Sequence, residues 1–282
     1  MSILINGTLF PDDAVTLHHS NRAFRYGDGF FESMVMFDGK VPLLSYHCER
    51  MKDAARALKF NLHPDLLEEN LKPLIATLAA KEALVNARMR ITVYRDAGGF
   101  YAPDSNASGY LTEWIPIPNN TFVWHQAGLQ TAYYHEVKKP VSIVSNYKTC
   151  NALLYVLAGI YKDEIKADEC FLFNENGNLC EGISSNFMWV KNTTLFTPPL
   201  NDGCVAGVMR QYVIDAMQRS GNPVSEIPCG IQDLQQADEV FFCSASRGIQ
   251  WVRELKHDGT ITKFSNDVSR NVYNLIMESL FH

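Results

Sequence analysis

Two residues of this chain, Lys148 and Glu181, could do chemistry together. A lysine in apolar surroundings loses the solvation that favours its ammonium form. Its pKa then falls, and the neutral amine becomes a nucleophile for an aldehyde carbonyl. A glutamate fixed at a strand end keeps a carboxylate in one place, where it can hold a proton on a basic partner. Taken singly, a lysine or a glutamate is usually a solvated surface charge, so the elements that position the two decide how much they mean.

The β-branched run Val141 to Val144 follows Pro140 and predicts a strand that delivers Ser145, Asn146, Tyr147 and Lys148 to its end. Past Thr149, the residues Leu153, Leu154, Leu157, Ile160 and Tyr161 recur at three- and four-residue spacings. That pattern predicts a helix with one face buried, and places Lys148 at a strand-helix junction. Glu169 to Phe173 predicts a strand, Asn174 to Asn178 its turn, and Leu179 to Glu181 the returning strand.

The residues around both positions form a pattern: Lys148-Thr149-Cys150-Asn151, then Ala167-Asp168-Glu169, then Glu181-Gly182-Ile183-Ser184-Ser185-Asn186-Phe187. This resembles the class IV aminotransferases, the fold-type-IV pyridoxal phosphate enzymes. They include branched-chain aminotransferase, D-amino acid aminotransferase and aminodeoxychorismate lyase. The resemblance covers nearly the whole chain and implies pyridoxal 5′-phosphate as cofactor, held by Lys148, with Glu181 facing its pyridine nitrogen. It also implies a mixed α/β (α+β) architecture, with a small N-terminal α/β domain, a larger C-terminal domain with a barrel-like sheet, and a homodimer.

Toward the N-terminus, Ile3 to Phe10 alternates around Asn6-Gly7 as a small hairpin. The stretch Asn21 to Glu32 contains Gly27-Asp28-Gly29-Phe30-Phe31-Glu32 and reads as a Gly-rich entry to a strand, with no helix after the glycines. By resemblance it is the family's G-D-G-x-F-E segment, which puts Tyr26 and Phe31 on the substrate wall. Ser45 is a candidate N-cap for a helix from Tyr46 to about Lys59, and a second helix is expected from Pro64 to about Lys81. From spacing alone Arg50 is a surface arginine. His47-Cys48-Glu49-Arg50-Met51 matches the family's H-x-x-R-L, where a planar guanidinium fork suits a phosphate. Arg88 to Arg95 alternates as a half-exposed strand, with Arg95 on the apolar face. Its charge needs a partner there: a substrate carboxylate is one candidate, Asp96 or solvent another. The polar segment Asp96 to Gly109 suits a mobile flap.

Ile115-Pro116-Ile117-Pro118-Asn119-Asn120 cannot continue a central strand, so the domain boundary is expected there, giving 1–117 and 118–282. Farther on, Val205-Ala206-Gly207-Val208-Met209-Arg210 opens a helix whose N-terminus could receive an anion. The family has G-I-T-R here and binds the cofactor phosphate through backbone amides and a threonine hydroxyl. Met209 stands in place of that threonine, so the Val208 and Met209 amides remain while one hydroxyl is lost. Ser244 and Ser246 could restore it. Arg247 is either a structural arginine or, in Ser246-Arg247-Gly248-Ile249, a substrate contact of the lyase kind.

Composition excludes other classes. At 282 residues and 31.8 kDa, with 46% hydrophobic residues, two cores are affordable. A net charge of -6 with scattered basic residues gives no nucleic-acid footprint. No apolar window approaches a membrane span, and no charged, long apolar leader opens the sequence, which predicts a cytoplasmic protein. Seven cysteines without a C-x-x-C pair predict reduced, buried thiols and no metal. The expected activity is an aminotransferase acting on small amino and keto acids, a branched-chain amino acid among the candidate donors. Glu32 and the Glu181-Gly182 segment look more like the aminotransferases. The alternatives are an aminodeoxychorismate lyase and, more distantly, a non-catalytic protein of the same fold.

Overall fold

The computed structural model describes residues 2–14 and 17–281. They fall into two units: the residues up to Thr121 together with Tyr147–Asn151, and Phe122–Asn146 together with Ala152 onward. The sequence holds no signal for the return of Tyr147–Asn151 to the first unit.

In the first unit, β1 (Ser2–Ile5) and β2 (Thr8–Pro11) form the expected hairpin, with Asn6 and Gly7 both at positive φ. Strands β3 (Gly29–Met36), β4 (Ala87–Arg95) and β5 (Ser108–Pro116) complete an antiparallel sheet in the order β2-β1-β5-β4-β3. Met89, Ile91 and Val93 point from β4 into a core. There they meet Cys48, Met51 and Ala54 of α2 (Leu44–Ala57) and Leu71, Ile75 and Leu78 of α3 (Glu68–Lys81). One helix was not expected. Asn21 accepts the Ala23 and Phe24 amides and Gly27 closes the turn in the left-handed region, so Arg22–Tyr26 forms α1. At five residues it is too short to carry a period. The start of α2 also differs: Leu43 at φ 61, not Ser45, flanks its first turn and makes no side-chain cap bond.

Tyr147–Asn151 lies along β3. The Phe31 N–H donates to Lys148 O at 2.8 Å, the Cys150 N–H to Gly29 O at 2.9 Å, and Thr149 bridges Phe30 in antiparallel sense. Lys148 therefore sits in a tight turn, closed by the Thr149 N–H on Tyr147 O at 3.0 Å, against a strand, in place of the expected strand-to-helix junction.

The second unit is a nine-stranded sheet curled into half a barrel. Its strands are β6 (Leu129–Lys139), β7 (Glu169–Asn174), β8 (Leu179–Gly182), β9 (Asn186–Lys191), β10 (Thr194–Thr197), β11 (Ser225–Glu226), β12 (Glu239–Ser244), β13 (Gly248–His257) and β14 (Thr260–Lys263). The order is β11-β10-β9-β12-β13-β6-β7-β8, with β14 on β13. Helices α4 (Leu153–Glu164), α5 (Val208–Arg219), α6 (Ile231–Gln235) and α7 (Asp267–Phe281) complete it. Tyr133, Phe171, Phe187, Trp189 and Phe242 fill one core, and Tyr134, Cys170, Leu172 and Cys180 another.

Two segments differ from the sequence expectation. Val141 to Val144 is not a strand: β6 ends at Lys139, and Pro140 can donate nothing to a ladder. Ser145 Oγ then closes a turn, donating to Pro140 O at 2.7 Å and accepting the Ser142 N–H at 3.0 Å. On α4, Leu154 and Tyr161 pack inward around buried Ala158, but Leu153 and Ile160 are 69% and 52% exposed, with Val156 and Leu157 beside them. The helix is apolar on two faces, and the spacings fit either, so periodicity alone cannot choose the buried one.

Candidate functional site

Glu181 lies at the end of β8 and is 2% exposed. Three donors hold its carboxylate. Lys139 Nζ, from the last residue of β6, and Tyr155 Oη, from the inward face of α4, both reach Oε1, the tyrosine at 2.7 Å. The Val205 N–H reaches Oε2 at 2.7 Å. A carboxylate offers about four acceptor positions, so these three leave one, on Oε2. Burial, and then the charge of Glu181, push the Tyr155 phenol well above its ordinary range, which keeps it a donor. The Cys180 thiol beside it is pushed up by the same two causes.

The Val205 bond ties Glu181 to the approach of α5. Asn186, the first residue of β9, donates from Nδ2 to Val205 O at 2.8 Å and pairs across the sheet with Cys243. A Cβ built on Gly207 would lie 1.8 Å from Asn186 Oδ1, so only glycine permits this approach. Beyond Gly207, the first amides of α5 point out of the helix end with no side-chain cap, and Val208 and Met209 contribute two of them. The Met209 side chain is buried in the interior and adds no donor. Ser244 follows Cys243 directly, and its hydroxyl is 3.5 Å from that of Ser246. Arg247, in the same turn, bonds Glu169 at 3.1 Å and Ser184, a structural partner set within this unit.

In the first unit, Lys148 Nζ lies 4.7 Å from the centroid of the Phe31 ring, and Arg90 Cζ lies 3.6 Å from that same centroid. Arg50 projects from α2 to Glu32, with Nε to Oε1 at 2.7 Å and Nη2 to Oε2 at 2.5 Å. His47 Nδ1 shares Oε2 at 2.7 Å. Burial pushes the Glu32 carboxyl up, but the Arg50 charge and the bonds from His47 and Arg50 outweigh it and hold the group at about 2. Tyr26 ends α1, with its ring tilted at 43° to that of Tyr101 and the Arg22 guanidinium 5.1 Å from its centroid. Arg95 bonds Asp28, Asn106 Oδ1, Leu58 O and Lys59 O, so every nitrogen of its fork has an internal partner.

Sequence reasoning missed Lys139, Tyr155 and Asn186. Lys138-Lys139-Pro140 looks like a solvated strand end, and Tyr155 hides among the apolar residues of a helix. The link Glu32–Arg50–His47 had one available signal: the i, i+3 spacing of His47 and Arg50 puts both on one face of α2. Among the described residues, no cluster of three or more His, Cys, Asp or Glu could hold a metal ion, and no helix is long and apolar enough to cross a membrane.

The donor set suits a phosphorylated heterocycle. A helix end with open amides, a glycine pressed on an asparagine and two serine hydroxyls fit a phosphate. A buried carboxylate with one acceptor position left fits a protonated ring nitrogen. Comparison with known proteins bears on this directly. Residues 29–255 match the family described as Amino-transferase class IV. A Methanocaldococcus jannaschii protein, provisionally named a branched-chain-amino-acid aminotransferase, is 30% identical over 274 residues, 93% of each chain. An aminodeoxychorismate lyase of Vibrio harveyi is 28% identical, covering 87% of this chain and 88% of its own. The branched-chain amino acid aminotransferase of Escherichia coli superposes with a TM-score of 0.86 at 22% identity, over 99% of this chain and 94% of its own, a likeness of fold. The chain belongs to the class IV aminotransferase family, whose enzymes depend on pyridoxal phosphate.

Proposed function

We propose that this enzyme is an aminotransferase that moves an amino group between a small amino acid and a 2-keto acid, with Lys148 as its reacting amine. Pyridoxal phosphate, when bound, supplies the aldehyde that takes the substrate amine and a ring that accepts the electrons released at the α-carbon. The observation that carries the assignment of Lys148 is its place in the pattern Lys148-Thr149-Cys150-Asn151, inside the matched residues 29–255, with its amine over the face of Phe31. Lys139, 4% exposed, is paired with Glu181. Lys148 would then be the group that takes up and returns the proton of the substrate α-carbon. Glu181 Oε2 would hold the proton of the ring nitrogen. The Val208 and Met209 amides, with Ser244, Ser246 and Arg50, receive the phosphate, and Tyr26 and Phe31 shape the substrate side.

Borohydride reduction of the loaded protein, followed by peptide mapping, is expected to place the cofactor on Lys148. Label on Lys139 or any other lysine would refute the assignment. A lyase reading stands second, favoured by the Vibrio harveyi relative and by Arg247 ahead of Gly248. An amino-donor panel separates the two. Aliphatic amino acids, branched-chain ones included, are expected to convert the bound cofactor to its amine form and a 2-keto acid to restore it. If none does so while aminodeoxychorismate yields 4-aminobenzoate and pyruvate, the lyase reading holds.

The family's habit supports a homodimer in the cytoplasm, and the outward stripe of α4, Leu153, Val156, Leu157 and Ile160, supports self-association. These residues recur at i, i+3, i+4 and i+7 and form one apolar face of the kind that marks interfaces.

A further inference from the structure

The ion pair between Lys139 and Glu181 has no part in the proton transfer assigned to Lys148, yet it lies within the second unit against the group assigned to the ring nitrogen. We propose that Lys139 acts through Glu181 to lower the proton affinity of the cofactor ring nitrogen, and so sets how strongly the ring draws electrons. The inference rests on the reading that Glu181 faces that nitrogen.

Oε1 receives Lys139 Nζ and Tyr155 Oη and is saturated; Oε2 receives the Val205 N–H and keeps one position. The carboxylate is thereby fixed in rotation, with Oε2 as the oxygen left to meet a ring N–H. Its charge is shared with a cation that is itself 4% exposed. In a buried site a lysine ammonium on one carboxylate oxygen repels a second cation on the other. An unshared carboxylate would hold the ring proton more tightly than this one does.

The surrounding groups leave Lys139 as the source of that effect. Tyr155 from α4 is neutral, and so is Cys180 from β8, each held protonated by burial and by Glu181. Cys204, before α5, is pushed up to about 12 by burial, ahead of the opposing charge of Arg210. Arg210 itself is committed to Pro198 O and Glu226. Asp202 bonds Asn178. Lys139 is therefore a positioning residue, touching neither the reacting carbon nor the amine of Lys148 in the proposed scheme.

The test is the proton on the ring nitrogen, read by nitrogen-15 NMR of the protein loaded with cofactor labelled at that atom and titrated with pH. Lys139→Gln keeps a donor and removes the charge; Lys139→Met removes both at similar length. Either is expected to raise the ring-nitrogen pKa by about one to two units, the size of one nearby charge at intermediate dielectric. Lys139→Arg is expected to restore the wild-type curve, and Tyr155→Phe, which removes a bond but no charge, to shift it less than Lys139→Gln. Because the two uncharged variants are read independently, loss of the fold in one leaves the other decisive. An unchanged or lowered pKa in the uncharged variants would overturn the inference. Glu181→Gln in the same assay isolates the underlying reading: a wild-type signal indifferent to that change refutes the Glu181 contact itself. Response to Glu181 without response to Lys139 refutes only the role of Lys139.

Discussion

Replacing Arg50 by alanine separates two things the arginine does. Glu32 is 2% exposed, and Arg50 supplies two of the bonds that reach its carboxylate while His47 supplies another. Arg50→Ala leaves a buried carboxylate facing one imidazole. Removing one partner of a buried ion pair costs about 3–5 kcal/mol, more than the 1.5–3 kcal/mol of a lost charged hydrogen bond, so destabilisation near the upper range is expected. Urea unfolding of Arg50→Ala, Glu32→Gln and Arg50→Ala/Glu32→Gln tests it. The double variant is expected to recover most of the loss, since no unpaired carboxylate remains. An Arg50→Ala cost below about 1 kcal/mol, or a double variant as unstable as the sum of the singles, would refute the desolvated pair. Where the double variant folds, its affinity for pyridoxal phosphate isolates the phosphate contact, expected to be worth about 1.5–3 kcal/mol, or roughly 10- to 150-fold. Unchanged affinity there would confine Arg50 to holding Glu32. The same pair sets an acid limb. The Glu32 carboxyl is depressed to about 2 in the fold from 4.5, so its contribution is complete above about pH 4.5 and is lost as pH falls toward 2, about 3 kcal/mol in all. Glu32→Gln should flatten that limb and leave the neutral side unmoved by pH.

The other expectations concern the second unit. Gly207→Ala places a methyl carbon 1.8 Å from Asn186 Oδ1, at an ordinary φ of -69°, so its whole effect is steric. Asn186 must swing away from Val205 O, and cofactor affinity is expected to fall along with about 1–3 kcal/mol of stability; equilibrium dialysis with wild-type affinity would contradict the cradle. On α4, Leu157→Glu or Ile160→Glu puts a charge into the outward apolar stripe. Sedimentation is expected to show dissociation toward monomer with the helix intact, and an oligomer unmoved by either change would remove α4 from the interface.

Much of this was legible in the chain where one signal pointed one way. Asn6-Gly7 and Asn174 to Asn178 fixed hairpins because few residues accept their turns, and the alternation from Met89 to Val93 chose a face because the other residues are charged or hydroxylic. The open end of α5 was legible from Gly207. What failed shares a cause, a local pattern with two solutions. Val141 to Val144 has strand composition, but Pro140 and the Ser145 hydroxyl offer the backbone a turn. The apolar residues of α4 satisfy a helical period on either side, and tertiary contact with Cys170 and Leu172 selects the side of Leu154 and Tyr161.

Burial itself would have misdirected the choice of amine. Lys139 is the more deeply buried lysine and Lys148 only half-buried, so a search for the most desolvated ammonium selects Lys139. Burial alone is a poor guide to a nucleophile, because a buried ammonium needs a partner, and Lys139 has the Glu181 carboxylate at hydrogen-bonding distance. The exposed stem of Pro140 and the doubled lysine before it give no hint of that partner, which lies 42 residues away in sequence and becomes a neighbour only when β6, β7 and β8 pair. The pairing of Lys139 with Glu181 is thus a property of the sheet's register: a slip of β8 by one residue would turn Glu181 to the other face and release the Lys139 charge.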